Sequence, residues 1–237
     1  MKNILLLASL LLTISLAAQK TVHDANAVRR SAKGFHAIEI SDGIDLYLTQ
    51  GNDEAVAVSA SSNDYRDKIE VEVVNGVLKI YYDRDRGNWG FNWGNRKLKA
   101  YVSAKSLDKL SGSGGSDLYL DNELNAARLT IHLSGGSDFK GAVKAQDLFL
   151  TASGGSDAHI SGSADKLKIT CSGGSDINGY DMATNLCTVE CSGGSDVKIT
   201  VNKEISGNAS GGSDIYYKGN ASCSASKSGG SGIKRVS

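Results

Sequence analysis

Four stretches in the second half of the chain alternate apolar and polar residues with period two: Leu129-Thr-Ile131-His-Leu133, Leu148-Phe-Leu150-Thr-Ala152, Leu167-Lys-Ile169-Thr-Cys171 and Cys187-Thr-Val189-Glu-Cys191. This is the pattern of a strand with one face buried. Each stretch runs into the same five residues. Ser113-Gly-Gly-Ser-Asp117 recurs at 134–138, 153–157, 172–176, 192–196 and 210–214, and a degenerate copy, Ser-Gly-Gly-Ser-Gly, spans 228–232. The residues after each Asp alternate again, as in Leu118-Tyr-Leu120, Ala158-His-Ile160 and Val197-Lys-Ile199. The opening serines are 21, 19, 19, 20, 18 and 18 residues apart, a fixed period that marks stacked coils. A unit of this length cannot bury its apolar face alone. Stacking at about 4.8 Å per coil does so. The pattern predicts an all-β chain: a parallel β-helix-like solenoid over 111–237 with seven SGGSD corners.

Upstream of Ser113 the repeat fades, but the alternation persists at 37–40, 43–48, 55–58, 69–73, 77–80 and 98–102. Asn75-Gly76 reads as a tight hairpin turn. Residues 33–110 are therefore predicted to be antiparallel pairs or wider coils that cap the solenoid, because an open coil end is an adhesive edge. The absence of proline and the abundance of glycine (28) fit ladders with tight corners.

Met1-Lys2-Asn3, an apolar run from Ile4 to about Leu16, and Ala17-Ala18 predict an export signal over residues 1–18. The run is too short for a membrane span, which needs about 20 apolar residues. The expected location is the periplasm, the cell surface or the medium. The formal net charge is zero, so no basic excess draws nucleic acid or anionic lipid.

A Gly43-Ile44-Asp45 element in an early strand is followed by Leu46, Leu48 and Gln50-Gly51. Then come the strand Gly76–Ile80, the serial Ser-Gly corners, and Ile215-Tyr-Tyr-Lys-Gly219. In these features the chain resembles the head GIN domain family of auto-transporter adhesins. The resemblance covers nearly the whole mature chain. It implies a right-handed β-helix-like solenoid and an adhesive role, and it brings no catalytic residues with it.

Four sets of residues carry candidate chemistry. Asp117, Asp138, Asp157, Asp176, Asp196 and Asp214 form one column of carboxylates. Each adjacent pair repels by about 1 kcal/mol or less when solvated. Either the carboxylates accept hydrogen bonds from corner amides, or they hold cations. The six to eight oxygens that calcium wants favour the first reading. Cys171 and Cys191 share a column in adjacent coils, so they either form a disulfide or fill the core as small apolar residues. Trp89, Phe91 and Trp93, in a glycine-rich loop, either contact a ligand or fold over a coil end. Lys140, Lys198 and Lys234 share an outward column, interrupted by Tyr119, His159, Asn178 and Tyr216. His23, His36, His132 and His159 are scattered, and no nucleophile elbow accompanies them.

The sequence thus predicts an exported, non-catalytic β-solenoid with no cofactor, one that binds glycan or protein at the cell envelope. The alternative is a structural protein that oligomerises through its coil ends. A polysaccharide-active β-helix enzyme ranks third.

Overall fold

The computed structural model describes residues 24–83 and 96–237. Among the described residues the chain forms 17 strands and one single-turn helix, with all of these strands linked in one continuous sheet. The N-terminal elements are β1 (Val28–Arg30), β2 (Ala37–Ile40), β3 (Asp45–Gln50), β4 (Ala55–Ser59), α1 (Asn63–Arg66), β5 (Ile69–Val74), β6 (Val77–Tyr82) and β7 (Lys99–Ala104). The repeats begin with β8 (Lys109–Gly112) and β9 (Leu118–Leu120). They continue through β10 (Leu124–Ser134), β11 (Phe139–Ser153), β12 (Ala158–Ser172), β13 (Ile177–Cys191) and β14 (Asp196–Ala209). They end with β15 (Asp214–Lys218), β16 (Ser222–Lys227) and β17 (Gly232–Arg235).

Strands β11 to β14 each run from one corner to the next, and each strand from β10 to β14 pairs in parallel with its successor. The registers join like to like. Ile131, Leu150, Ile169 and Val189 form one interior column on the near side of the corner. Leu118, Phe139, Ala158, Ile177, Val197 and Ile215 form another on the far side. All of these are buried, and each fully buried Leu, Ile or Val contributes about 1.5–3 kcal/mol. Bulk in one coil is offset in the next, as where Phe139 stacks on Ala158. Gly141 likewise leaves room for the Leu120 side chain, which an added Cβ would meet at 2.4 Å. The corner itself needs glycine, since Gly135 and Gly136 take φ of 65° and 77°, the left-handed region.

The N-terminal part combines a stacked coil with antiparallel pairs. Strands β2 and β3 form a coil whose corner, Ser41–Asp45, is in register with Ser113–Asp117: Ile40 pairs with Gly112 and Leu46 with Leu118. Asp42 and Gly43 take φ of 65° and 73°, matching the glycine pairs of the corners at Gly114-Gly115, Gly135-Gly136 and Gly154-Gly155. Gly43-Ile44-Asp45 is therefore an eighth corner, which the sequence disguises by placing Ile44 where the repeats have Ser. This coil is not the end of the stack. β6 and β7 lie on one side of it and β8 and β9 on the other, all in parallel. Beyond β6 and β7 the pairing turns antiparallel: β5 lies on β6, β4 on β7, and β1 on β4. These strands close that end. The β5–β6 hairpin turns at Asn75 (φ 51°) and Gly76 (φ 77°), a two-residue turn of the type that suits the strand twist.

Gln50 ties the layers together on a third side. Its amide Nε2 donates to the Lys105 and Asn125 carbonyls at 3.1 and 3.0 Å, and its Oε1 accepts from the Asn125 N–H at 2.7 Å.

Candidate functional site

The corners carry two hydrogen-bond ladders of opposite sense. The second serine of each repeat points inward, and Ser116, Ser137, Ser156, Ser175, Ser195 and Ser213 are fully buried. Along the column, each backbone N–H donates to the serine Oγ of the following coil. The series runs from Ile44 N to Ser116 through Ser175 N to Ser195, at 3.1–3.2 Å. Ser213 instead turns back and donates to the Ser210 carbonyl at 2.7 Å. The aspartates face outward and bond the other way. Oδ1 of Asp117, Asp138, Asp157, Asp176 and Asp196 accepts from the N–H of the next Asp at 3.0–3.3 Å.

A hydrogen bond to a charged group is worth about 1.5–3 kcal/mol. Two carboxylates one coil apart repel by about 0.9 kcal/mol in water before screening. By these magnitudes the hydrogen bonds of the ladder exceed the repulsion between neighbouring carboxylates. Among the described residues, no group of three or more His, Cys, Asp or Glu side chains is placed to hold a metal ion.

Two residues after each Asp lies an outward column that crosses most of the stack. In register it reads Tyr101, Tyr47, Tyr119, Lys140, His159, Asn178, Lys198, Tyr216 and Lys234. Its first three members are stacked rings, with centroids 5.3 Å apart at both steps and planes inclined by 25° and 22°. Carboxylates anchor the ends of this stack. The Tyr101 hydroxyl donates to Asp24 at 2.8 Å and the Tyr119 hydroxyl to Asp117 at 3.1 Å. Burial, then the charge and hydrogen bond of Asp117, push the Tyr119 phenol up to about 12. Burial and the bond to Asp24 push Tyr101 higher still. Asp45 is raised as well, by burial first and then by the nearby Asp117 charge. The tyrosines therefore stay neutral donors at any ordinary pH.

Where the ring stack stops, an open groove of about 580 Å³ begins. Tyr47, Tyr119, Lys140, His159 and Asn178 line one side, and Asp121, Ala142, Ser161 and Asp181 the other. Leu120, Gly141 and Ile160 lie between them. Gly141 lines the groove with backbone, and the space its side chain would take is filled by Leu120. Asp181 falls in a register shift between β12 and β13, where two residues of one strand face three of the other; such a bulge re-aims a side chain.

The residues singled out from sequence are dispersed. Trp89, Phe91 and Trp93 lie outside the described residues, between β6 and β7 in the chain. Cys171 and Cys191 are buried neighbours with Cα atoms 4.8 Å apart and sulfurs at bonding separation. Cys187 is buried, which raises its thiol to about 12, and Cys223 is exposed. His36 pairs with Asp108 at 3.0 Å, remote from the groove. Of the four histidines, the groove takes in His159. The Lys column was legible, but the tyrosine stack was not. The signal was present: Tyr47 follows Asp45 at the same offset that Tyr119 follows Asp117. Reading it required recognising Ser41–Asp45 as a corner.

The comparisons agree with this architecture. The family model described as "Putative auto-transporter adhesin, head GIN domain" matches residues 34–221. Among solved structures, a "putative adhesin" from Bacteroides fragilis NCTC 9343 aligns with a TM-score of 0.79 and 21% identity, over 90% of this chain and 98% of its own. A "Putative lipid binding protein" from Parabacteroides distasonis ATCC 8503 aligns at 0.69 and 18% identity, over 90% and 98%. A "putative adhesin" from Parabacteroides merdae ATCC 43184 aligns at 0.69 and 14% identity, over 89% and 95%. At such identities the likeness is one of fold. No curated protein matches the chain. Because the family model spans most of the sequence, and its matched segment contains the disguised corner, the tyrosine stack and the six aspartates, the chain belongs to the head GIN domain family.

Proposed function

We propose that this chain is an exported, non-catalytic binding module of adhesin type, and that the groove beside the tyrosine stack is where it holds a glycan or an envelope protein. The observation that carries the reading is the groove itself. It is a concave, open site on a rigid ladder, where an aromatic platform ends beside a mixed set of hydrogen-bonding groups. An enzyme reading finds less support. The most regular set of carboxylates is committed to backbone N–H groups, and the groove holds no nucleophile paired with a base. Export rests on the signal over residues 1–18 and on the adhesin family.

A glycan array probed with the mature chain, residues 19–237, tests the proposal. Retention of one glycan class supports it. A silent array, with the folded state verified by circular dichroism, shifts the reading to a protein ligand. The structural alternative draws on β16 and β17, each of which pairs on one side only among the described residues. Light scattering separates the two, since end-to-end assembly requires mass that grows with concentration.

A further inference from the structure

The groove lies at a change in chemistry along one column. From Tyr101 to Tyr119 the rungs are rings, each covering the face of the next at 5.3 Å. The next rung is Lys140, whose flexible stem cannot continue the stack. Tyr119 therefore has Tyr47 on one face and, on the other, no aromatic partner among the described residues. Tyr47 and Tyr119 both line the groove, together with Lys140 of the next rung. A flat, weakly polar ring entering at the Lys140 level would continue a ladder whose step is already set. A pyranose has that shape, and its C–H face is what an aromatic ring takes up.

The rest of the groove suits hydroxyl groups rather than a single charge. Lys140, His159 and Asn178 stand at successive coil levels on one side and can donate. Asp121, Ser161 and Asp181 stand opposite and can accept. Donors repeating at about 4.8 Å, facing acceptors, fit a chain of sugars laid along the stack. The neighbouring charge argues against an acidic chain. The aspartate column Asp138, Asp157, Asp176, Asp196 and Asp214 runs two residues away on the same face, with one carboxylate per coil against Lys140 and Lys198.

We propose that the groove is a subsite for an uncharged glycan, in which one pyranose stacks on Tyr119 and its neighbours are held by hydroxyl contacts to Lys140, His159 and Asn178 on one side and to Asp121 and Asp181 on the other. The inference rests on the reading of the chain as a glycan-binding module and specifies its ligand class and residues.

The test uses the mature chain and isothermal titration with two sets of oligosaccharides: neutral (fragments of dextran, laminarin and xylan) and acidic (fragments of polygalacturonate and hyaluronate). The expected result is binding to a neutral member and at least about tenfold weaker binding to the acidic ones. Tyr119→Ala, which removes the platform, and Ser161→Arg, which fills the groove without touching the core, should each weaken binding about tenfold or more. Tyr216→Ala, on the same column beyond the groove, should leave it unchanged. Preference for the acidic set overturns this inference and leaves the glycan reading standing. Neutral binding that survives both groove variants places the site elsewhere and also overturns it. Failure of every glycan, with binding instead to phosphatidylcholine or phosphatidylglycerol vesicles, overturns the glycan reading itself.

Discussion

Replacing Ser156 with alanine removes one oxygen atom from the inside of a corner. That oxygen accepts from the Ser137 N–H at 3.1 Å, in a position closed to water. Alanine adds no bulk and leaves the Ser156 N–H free to keep its own bond to Ser175. The whole effect therefore falls on the Ser137 N–H, which becomes a buried donor without an acceptor. Such a group costs about 1–3 kcal/mol. For a chain of this size each kcal/mol moves the melting temperature by about 2–4 °C, so a loss of roughly 4–8 °C is expected at the middle of the range. Ser153→Ala is the control. It alters the outward serine of the same corner, whose Oγ makes a marginal contact of 3.5 Å with the Leu133 carbonyl, and it should stay within about 0.5 kcal/mol of the parent. Thermal unfolding followed by circular dichroism, with the urea midpoint as a second measure, compares the three proteins. If Ser156→Ala and Ser153→Ala melt together, the buried serine ladder does not hold the corners.

Four further outcomes follow from the same geometry. Ile169→Asp puts a charge between Leu150 and Val189 and should cost several kcal/mol, whereas Lys168→Asp on the outer face should cost little; equal melting temperatures would invert the facing assignment. Under non-reducing conditions, intact-mass alkylation should modify Cys223 readily and Cys187 only after unfolding, with Cys171 and Cys191 modified only after reduction; closing a loop of 20 residues implies a loss of about 3 kcal/mol on reduction. Millimolar calcium should leave the melting temperature unchanged, because the Asp Oδ1 atoms already accept backbone N–H groups; a rise abolished by Asp157→Asn with Asp176→Asn would contradict this. In an alkaline titration followed by phenolate absorbance, Tyr119 should ionise near 12 rather than 10.0. The folded state then holds a proton that the unfolded state releases, so this group's contribution to stability is complete below pH 10 and declines between 10 and 12. A single tyrosine transition near 10, with the fold intact, would refute the anchored stack.

Much of this was legible because the repeat is translational. Once Ile131, Leu150, Ile169 and Val189 occupy the same offset before each corner, stacking puts them in one column. The facing of Lys168 and the proximity of Cys171 to Cys191 follow from the same offset. The candidate site was less legible. Lys140 and His159 were visible as members of an outward column, but the groove beside them was not. Its lining includes Gly141 beside Leu120 and the bulge that presents Asp181, neither of which has a periodic signature. The tyrosine stack needs Tyr101, Tyr47 and Tyr119 on adjacent rungs, although they lie far apart along the chain.

The sequence by itself determined the strands, the corners and the vertical register of the repeats, because each depends on residues within one coil length of one another. Only the tertiary structure decided the order of layers at the N-terminal end. There the coil of β2 and β3 is enclosed between β6 and β7, made later in the chain, and β8 and β9, made later still. The choice between two faces of an existing coil is made by backbone N–H and C=O groups, which every residue carries alike. It therefore leaves no mark in side-chain pattern, and with it came the one arrangement that sets Tyr47 between Tyr101 and Tyr119.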